Sequence, residues 1–484
     1  MSGARVAKNS MWLLGAEGSR RLVGFLIQAL IARTLLVDDF GRYGLANSLA
    51  AIFSVLAGFG MSPLLVREVA AVRAEPEASG RLFKTTLGMR MILGVFATLA
   101  MYVFARAMGY SGATRQVVML SALFVWGDAV AHTGEAMFDG VQRMDLSAWV
   151  TIIRSGAWLV GVAIAAALHL GVMGVVAAMV ITAWFSAFFN TWIAHTRLPG
   201  VSFWPGVAGG WAMLRRAVPF VMIGFVWIVA FRVDMVILER LTDDRSAGLY
   251  RSGYSFFELL LTLPVLATRA LFPALSAARA ESHEQWNSLL GSSLRIFWII
   301  ALPVSIGSMI VGPRLVELVY GAKYAHGARV LALLGSFLWL WFGTMTFGWA
   351  LTAANRLSDV LRANVYAMLV NLAVDFALIP KYSYWGAAAA TIASEVFLLI
   401  YFLRVFLREY GSLPHEMFPV RAIPAALALA AVAWAMRTMN LALVIVAGGV
   451  VYFAVLFLFR ALTDQERRVI SRLLRRKQES NSPA

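Results

Sequence analysis

Arg33-Thr-Leu-Leu-Val-Asp38-Asp39-Phe-Gly41-Arg-Tyr43 is answered 207 residues later by Arg240-Leu-Thr-Asp243-Asp244-Arg-Ser-Ala-Gly248-Leu-Tyr250. Both stretches run from Arg through Asp-Asp to Gly-x-Tyr, and both close ten residues after the Arg. The same offset returns where Leu82, Thr85, Thr86 and Leu87 face Leu289, Ser292, Ser293 and Leu294. With slippage, Gln142-Arg143 resembles Asn355-Arg356, and Gly174 before Val-Val-Ala-Ala resembles Gly386 before four Ala. Chance similarity among Ala- and Leu-rich segments does not easily hold one offset through two loops and a helix start. The pattern reads as an internal duplication.

Between these markers the chain is apolar. Hydrophobic types make up 60% of the 484 residues and charged types 14%, with mean hydropathy +0.74. A soluble domain is nearer half apolar and a quarter charged, so this composition excludes an ordinary globular enzyme, a disordered chain and a fibrous protein. Fourteen candidate spans of about 18–25 residues each, enough to cross about 30 Å of hydrocarbon, lie near 10–33, 43–63, 85–106, 116–138, 147–168, 173–195, 216–238, 249–272, 291–313, 329–353, 360–379, 384–407, 419–436 and 441–460. The repeat unit is therefore six spans, with two left over. Six is even, so both copies insert with the same orientation, as a parallel repeat about an axis along the membrane normal. The expected divisions are a lobe at 1–198, a second at 199–408, two further helices in 409–462 and a tail at 463–484.

The basic surplus is 42 against 26, a formal +16. Nucleic-acid binding needs a soluble basic surface, which little of this chain can supply, so nucleic acid is not an expected partner. With both termini cytoplasmic, about 25 basic residues fall inside and about 11 outside, as the positive-inside rule asks. Arg67, Arg73, Arg81, Lys84, Arg215, Arg216, Arg404 and Arg408 belong to the inside set, with the tail cluster Arg467 to Lys477. The first apolar run is broken by Glu17, Arg20 and Arg21 and lacks a small-residue cleavage site, so it is expected to persist as a span rather than act as a signal peptide. The tail opens with a Thr463-x-x-Glu466 capping box, and its apolar face predicts a short basic helix on the cytoplasmic leaflet. With no Cys and no metal-type His spacing, thiolate chemistry and His-based metal sites are not expected, nor is any cofactor. Short connections, about twenty residues at most between these spans, leave no external domain for a glycosyltransferase or polymerase. The Asp-Asp pairs read as helix caps, with Gly allowing the turn, rather than as metal-holding carboxylates.

Six arginines fall inside spans: Arg20, Arg21, Arg90, Arg154, Arg232 and Arg251. Exposed to lipid they would cost together roughly 15–20 kcal/mol, beyond a domain's usual net stability. They must face a polar cavity, pair with acids, or snorkel, as Arg90, Arg251 and Arg232 are placed to do near their span ends. Arg supplies fixed bidentate forks for a phosphate, so these six are the candidate anion-binding groups. In the first span Glu17, Arg20 or Arg21, Gly24 and Gln28 make a polar stripe at helical spacing. In the fourth, Asp128, His132 and Glu135 share one face. Carboxylates and His there can pass protons or neutralise facing arginines. The pairing reading also covers Asp234, Glu258, Asp375 and Glu395. Glu17, Asp128, His132, Glu135, Asp375 and Glu395 are thus the coupling or ion-pair candidates.

Lys8-Asn9-Ser10, Ile31-Ala32-Arg33-Thr34-Leu35, Asp39-Phe40-Gly41-x-Tyr43, Phe59-Gly60-Met61, Leu65-Val66-Arg67-Glu68 and Ile379-Pro380-Lys381-Tyr382 before Trp385-Gly386-Ala387-Ala388 resemble, in that order, the bacterial polysaccharide flippases. These form the oligosaccharide branch of a superfamily that also holds multidrug exporters. The resemblance implies an all-α polytopic membrane protein of the MATE/MOP type, about fourteen helices in two pseudo-symmetric six-helix lobes plus two. It implies movement of an undecaprenyl-pyrophosphate-linked sugar across the bacterial inner membrane by alternating access, and no enzyme activity. The expected partners are that substrate, membrane lipids and polysaccharide polymerase or export machinery. A Na⁺- or H⁺-coupled drug exporter is the alternative. It would want an acidic cavity for organic cations, which the Arg excess disfavours. A membrane glycosyltransferase or polymerase is the third reading.

Overall fold

The computed structural model describes residues 23–110, 112–414 and 417–461. Glu17, Arg20, Arg21 and the expected tail helix lie outside the described residues. Among those described there are helices and no strand. In chain order they are α1 Val23–Thr34, α2 Val37–Gly58, α3 Met61–Ala71, α4 Pro76–Ala107, α5 Gly112–Gly140, α6 Met144–Ala167 and α7 Gly171–Arg197. Next come α8 Gly210–Leu241, α9 Asp244–Leu260, α10 Thr262–Glu281, α11 His283–Ile310, α12 Gly312–Tyr320, α13 Ala325–Ser336 and α14 Leu338–Ala353. α15 Leu357–Tyr382, α16 Tyr384–Tyr410, α17 Ile423–Ala435 and α18 Leu441–Leu458 complete the series.

Length and composition support ten crossings, or twelve if two bent pairs each count as one span. The bends are 46° within Gly210–Leu241, beside Gly224 and four residues after Pro219, and 44° between Ala322–Ser336 and Leu338–Ala353. Proline removes an intrahelical donor, which accounts for a break in the first. The two remaining expected spans correspond to the shorter apolar helices Val23–Thr34 and Val420–Ala435. Large apolar side chains such as Phe96, Val103, Ile181, Phe188 and Val450 are exposed along these helices. So much exposed apolar surface suits hydrocarbon, not water. The protein is a multi-pass membrane protein.

Two compact units emerge. The first runs to Leu259 and adds Glu317–Val330 and Asn364–Ser394; the second comprises Leu260–Val316, Leu331–Ala363 and the residues from Glu395. The first has a core around Met61, Leu65, Phe83, Met137 and Phe138. In the second, Ala422, Ala425, Ala426 and Leu429 pack with Ile299 and Tyr452, and the Tyr452 hydroxyl donates to the Ile299 carbonyl at 2.7 Å.

The duplication is visible in the backbone. α2 and α9 begin 207 residues apart, as do α4 and α11. Gln142 and Asn355 are both left-handed, at φ 61° and 60°, and so are His169 and Ser383, at 51° and 52°. The Arg143 and Arg356 amides each donate back five residues, to Phe138 and Leu351, both at 2.8 Å. Four non-glycine residues thus share a conformation that side chains disfavour, at matched helix junctions of the two copies.

Gly41 and Gly248 do not form turns. Both lie inside helices, where α2 and α9 of the first unit meet. A Cβ on Gly41 would stand 1.8 Å from the Asp244 carbonyl oxygen, and one on Gly248 would stand 2.0 Å from that of Val37. The repeated glycine is there for backbone approach, and each copy receives the other's helix start. Of the acidic pairs, Asp243 caps, accepting the Ser246 amide at 2.6 Å. Asp39 and Asp244 instead hold the Arg42 guanidinium from both sides, at 2.7 and 2.9 Å. Gly41→Ala and Gly248→Ala should each destabilise the protein by at least about 1–3 kcal/mol, since backbone cannot yield as a side chain can. Gly156→Ala, with nothing within 4 Å, should be neutral or slightly stabilising. Thermal unfolding in detergent compares the three.

Candidate functional site

α8 and α9 carry the first cluster. Glu258 pairs through Oε1 with Arg232 Nη2 at 2.9 Å and accepts on Oε2 from Arg251 Nη1 at 3.0 Å. Arg251 and Glu258 share a face of α9 two turns apart. Gly44 on α2 makes the space: a Cβ there would press on Met235 and the Arg251 stem. Neither arginine snorkels. The Arg251 side chain is 8% exposed and that of Arg232 20%, and the Nε of each is buried without a hydrogen-bond partner among the described residues. Both line a small cavity with Ser48, Asp234, Tyr250 and Tyr254.

A second cluster joins α4, α5, α6 and α7. Arg154 binds Asp128 and lies 3.5 Å from Glu135. His132 sits between the same acids, its Nδ1 2.7 Å from Glu135 and its Nε2 3.5 Å from Asp128. Asn190 donates to Glu135 at 3.4 Å and to the Ala131 carbonyl at 3.0 Å. Gly134 lets α7 come close enough for this, since a Cβ there would stand 2.7 Å from that of Asn190. Arg90, 1% exposed, donates to Ser62 at 2.6 Å and Thr133 at 3.2 Å. Asp128 and Glu135 directly meet the Arg154 guanidinium and the His132 imidazole, with Arg90 further off, an arrangement that can hold a proton on His132.

The third cluster is acidic. The Asp234 carboxylate accepts from Thr391 at 2.8 Å and Tyr250 at 3.2 Å. Asp375, fully buried, lies beside it, and both Asp375 oxygens are without a hydrogen-bond partner among the described residues. Asn371, one helical turn before Asp375, is also buried with its carbonyl oxygen unpartnered. Two adjacent buried carboxyl groups cannot both stay ionised without a cation or a proton between them. In the second unit, Glu395 is buried and accepts from the Thr344 hydroxyl.

Residues 6–279 match the family described as "Polysaccharide biosynthesis protein". The chain belongs to that family. It is 22% identical over 437 residues to the "Probable flippase AglR" of Haloferax volcanii, covering 87% of this chain and 86% of that one. It is 20% identical over 408 residues to a "Putative O-antigen transporter" of Shigella dysenteriae, covering 82% and 99%. Among solved structures it resembles "Lipid II flippase MurJ, inward closed conformation" with TM-score 0.76 at 14% identity, over 93% of this chain and 98% of that one. An inward-facing multidrug resistance MATE family transporter of the MOP superfamily follows, with TM-score 0.66 at 14% identity over 81% and 95%. The fold is the MurJ/MATE fold.

In this member of the polysaccharide biosynthesis protein family, four of the six singled-out arginines lie among the described residues and fall into two places. Arg232 and Arg251 share one carboxylate, whereas Arg90 and Arg154 belong to the second cluster. Of the coupling candidates, Asp128, His132 and Glu135 meet, while Asp375 and Glu395 stand in separate units. Sequence reasoning passed over Thr391, Tyr250 and Asn371. Asn371 and Asp375 at helical spacing on an otherwise apolar segment were the available signal. Asp128→Asn should cost about 1–3 kcal/mol, because it removes the closer of the two carboxylates that Arg154 meets and leaves Glu135 at 3.5 Å. Adding Arg154→Gln should recover part of that loss, and a double-mutant cycle by thermal unfolding reads the coupling.

Proposed function

We propose that the protein is a flippase for a lipid-linked oligosaccharide. The polar head enters a cationic cleft while the polyprenyl tail stays in lipid, and the lobes 1–198 and 199–408 rock about the cleft to give alternating access. The finer reading is an undecaprenyl-pyrophosphate carrier in a bacterial inner membrane, fourteen spans with cytoplasmic termini, and downstream polymerase or export machinery as partners. The observation that carries the proposal is the pair Arg232 and Arg251, one half-buried and one buried guanidinium group on one cavity, whose Nε donors have no partner among the described residues. A pyrophosphate is recognised by such fixed forks. The relatives named flippase and O-antigen transporter support the same substrate class. Arg20 and Arg21 extend the proposed site, and the acidic pair Asp234 and Asp375 is the proposed seat of a coupling cation or proton.

Likeness to drug exporters leaves that reading to chemistry. An organic cation would be repelled by the two guanidinium groups, so it is the less suited cargo. Proteoliposomes offered a short-chain lipid-pyrophosphate sugar and, in parallel, a drug cation separate the readings. Transfer of the sugar lipid alone is expected, with Arg251→Gln lowering it at least about tenfold, as loss of a buried charge contact does. Transfer of the cation alone would overturn the proposal, and polymer formation without transfer would favour the enzyme reading. Asp375→Asn should abolish stimulation by imposed ion gradients while sparing sugar-lipid binding.

A further inference from the structure

We propose that Glu258 is an internal stand-in for the substrate's phosphate, holding the two arginine forks in the empty carrier and yielding them to the incoming anion. This rests on the reading of Arg232 and Arg251 as the anion site. Each carboxylate oxygen takes one guanidinium, at 2.9 and 3.0 Å. Two oxygens of one phosphoryl group would meet the forks in the same way. Depth separates Glu258 from the inner arginine: its side chain is 26% exposed, against 8% for Arg251 and 20% for Arg232. The carboxylate therefore lies on the accessible side, on a flexible stem, and can swing away without moving the helix. Among the described residues the Nε of each arginine has no partner, a further donor that Glu258 does not engage. A group that only stabilised the fold would be expected to satisfy those donors. The stand-in also spares the empty site two uncompensated buried cations.

The test is binding of inorganic pyrophosphate to the full chain in detergent by calorimetry at fixed ionic strength. Glu258→Gln keeps the shape and removes the competitor. If the carboxylate occupies the forks about nine-tenths of the time, pyrophosphate affinity should rise about tenfold. Glu258→Asp, charged but shorter, should fall between the wild type and the Gln variant. Arg251→Gln added to Glu258→Gln should remove the gain. Unchanged or weaker binding in a folded Glu258→Gln protein, with the wild type binding, would overturn the stand-in role and leave the anion site intact. Should Glu258→Gln not fold, the Asp variant decides: affinity at or below wild type overturns the proposal. Binding by neither the wild type nor any variant would overturn the anion-site reading and this inference with it.

Discussion

An ion in hydrocarbon must carry its counter-charge with it, and the interior of the first unit is arranged around that requirement. Arg154 has Asp128 and Glu135, with His132 wedged between them. Arg232 and Arg251 divide Glu258. Arg90 is surrounded by hydroxyls of Ser62 and Thr133, with the carboxylates of the neighbouring cluster supplying longer-range attraction. These contacts tie α5 to α6 and α8 to α9, where a misplacement would strand a charge at a cost of several kcal/mol. Asp234 and Asp375 are the exception: two buried carboxyl groups adjoin, and both cannot be ionised without a cation or a proton between them.

The duplication was legible because it resides in polar residues at helix starts, where an apolar background leaves nothing else to vary. Arg33, Asp39, Gly41 and Tyr43 could be matched to Arg240, Asp244, Gly248 and Tyr250 without any structure. The role of the glycines was not legible. A glycine after Asp-Asp reads locally as a turn, and only tertiary approach of α2 to α9 shows that the missing Cβ admits a backbone carbonyl. The matched left-handed residues Gln142 and Asn355 were visible as a weak dipeptide similarity, whereas His169 and Ser383 share geometry without sharing chemistry.

The site was legible by type and not by grouping. Intramembrane arginines announce themselves by their desolvation cost, and six were singled out on that ground alone. Which acid each would meet depends on helices far apart in sequence: Arg154 on Asp128, Arg232 on Glu258. Thr391 and Tyr250 carry no charge, so nothing in an apolar segment distinguishes them from packing residues until Asp234 is seen between them.

The same two helices separate charge of opposite sign. On α8, Arg232 and Asp234 are two residues apart; on α9, Tyr250 and Arg251 are neighbours. Arg232 and Arg251 turn to Glu258, while Asp234 and Tyr250 turn to Thr391, and Asp234 still lines the cavity that both arginines line. A cation held at Asp234 and Asp375 would therefore lower the repulsion that an anion at the arginine pair feels from those carboxylates. Linkage makes the effect mutual: whatever the cation adds to anion affinity, the anion adds to cation affinity.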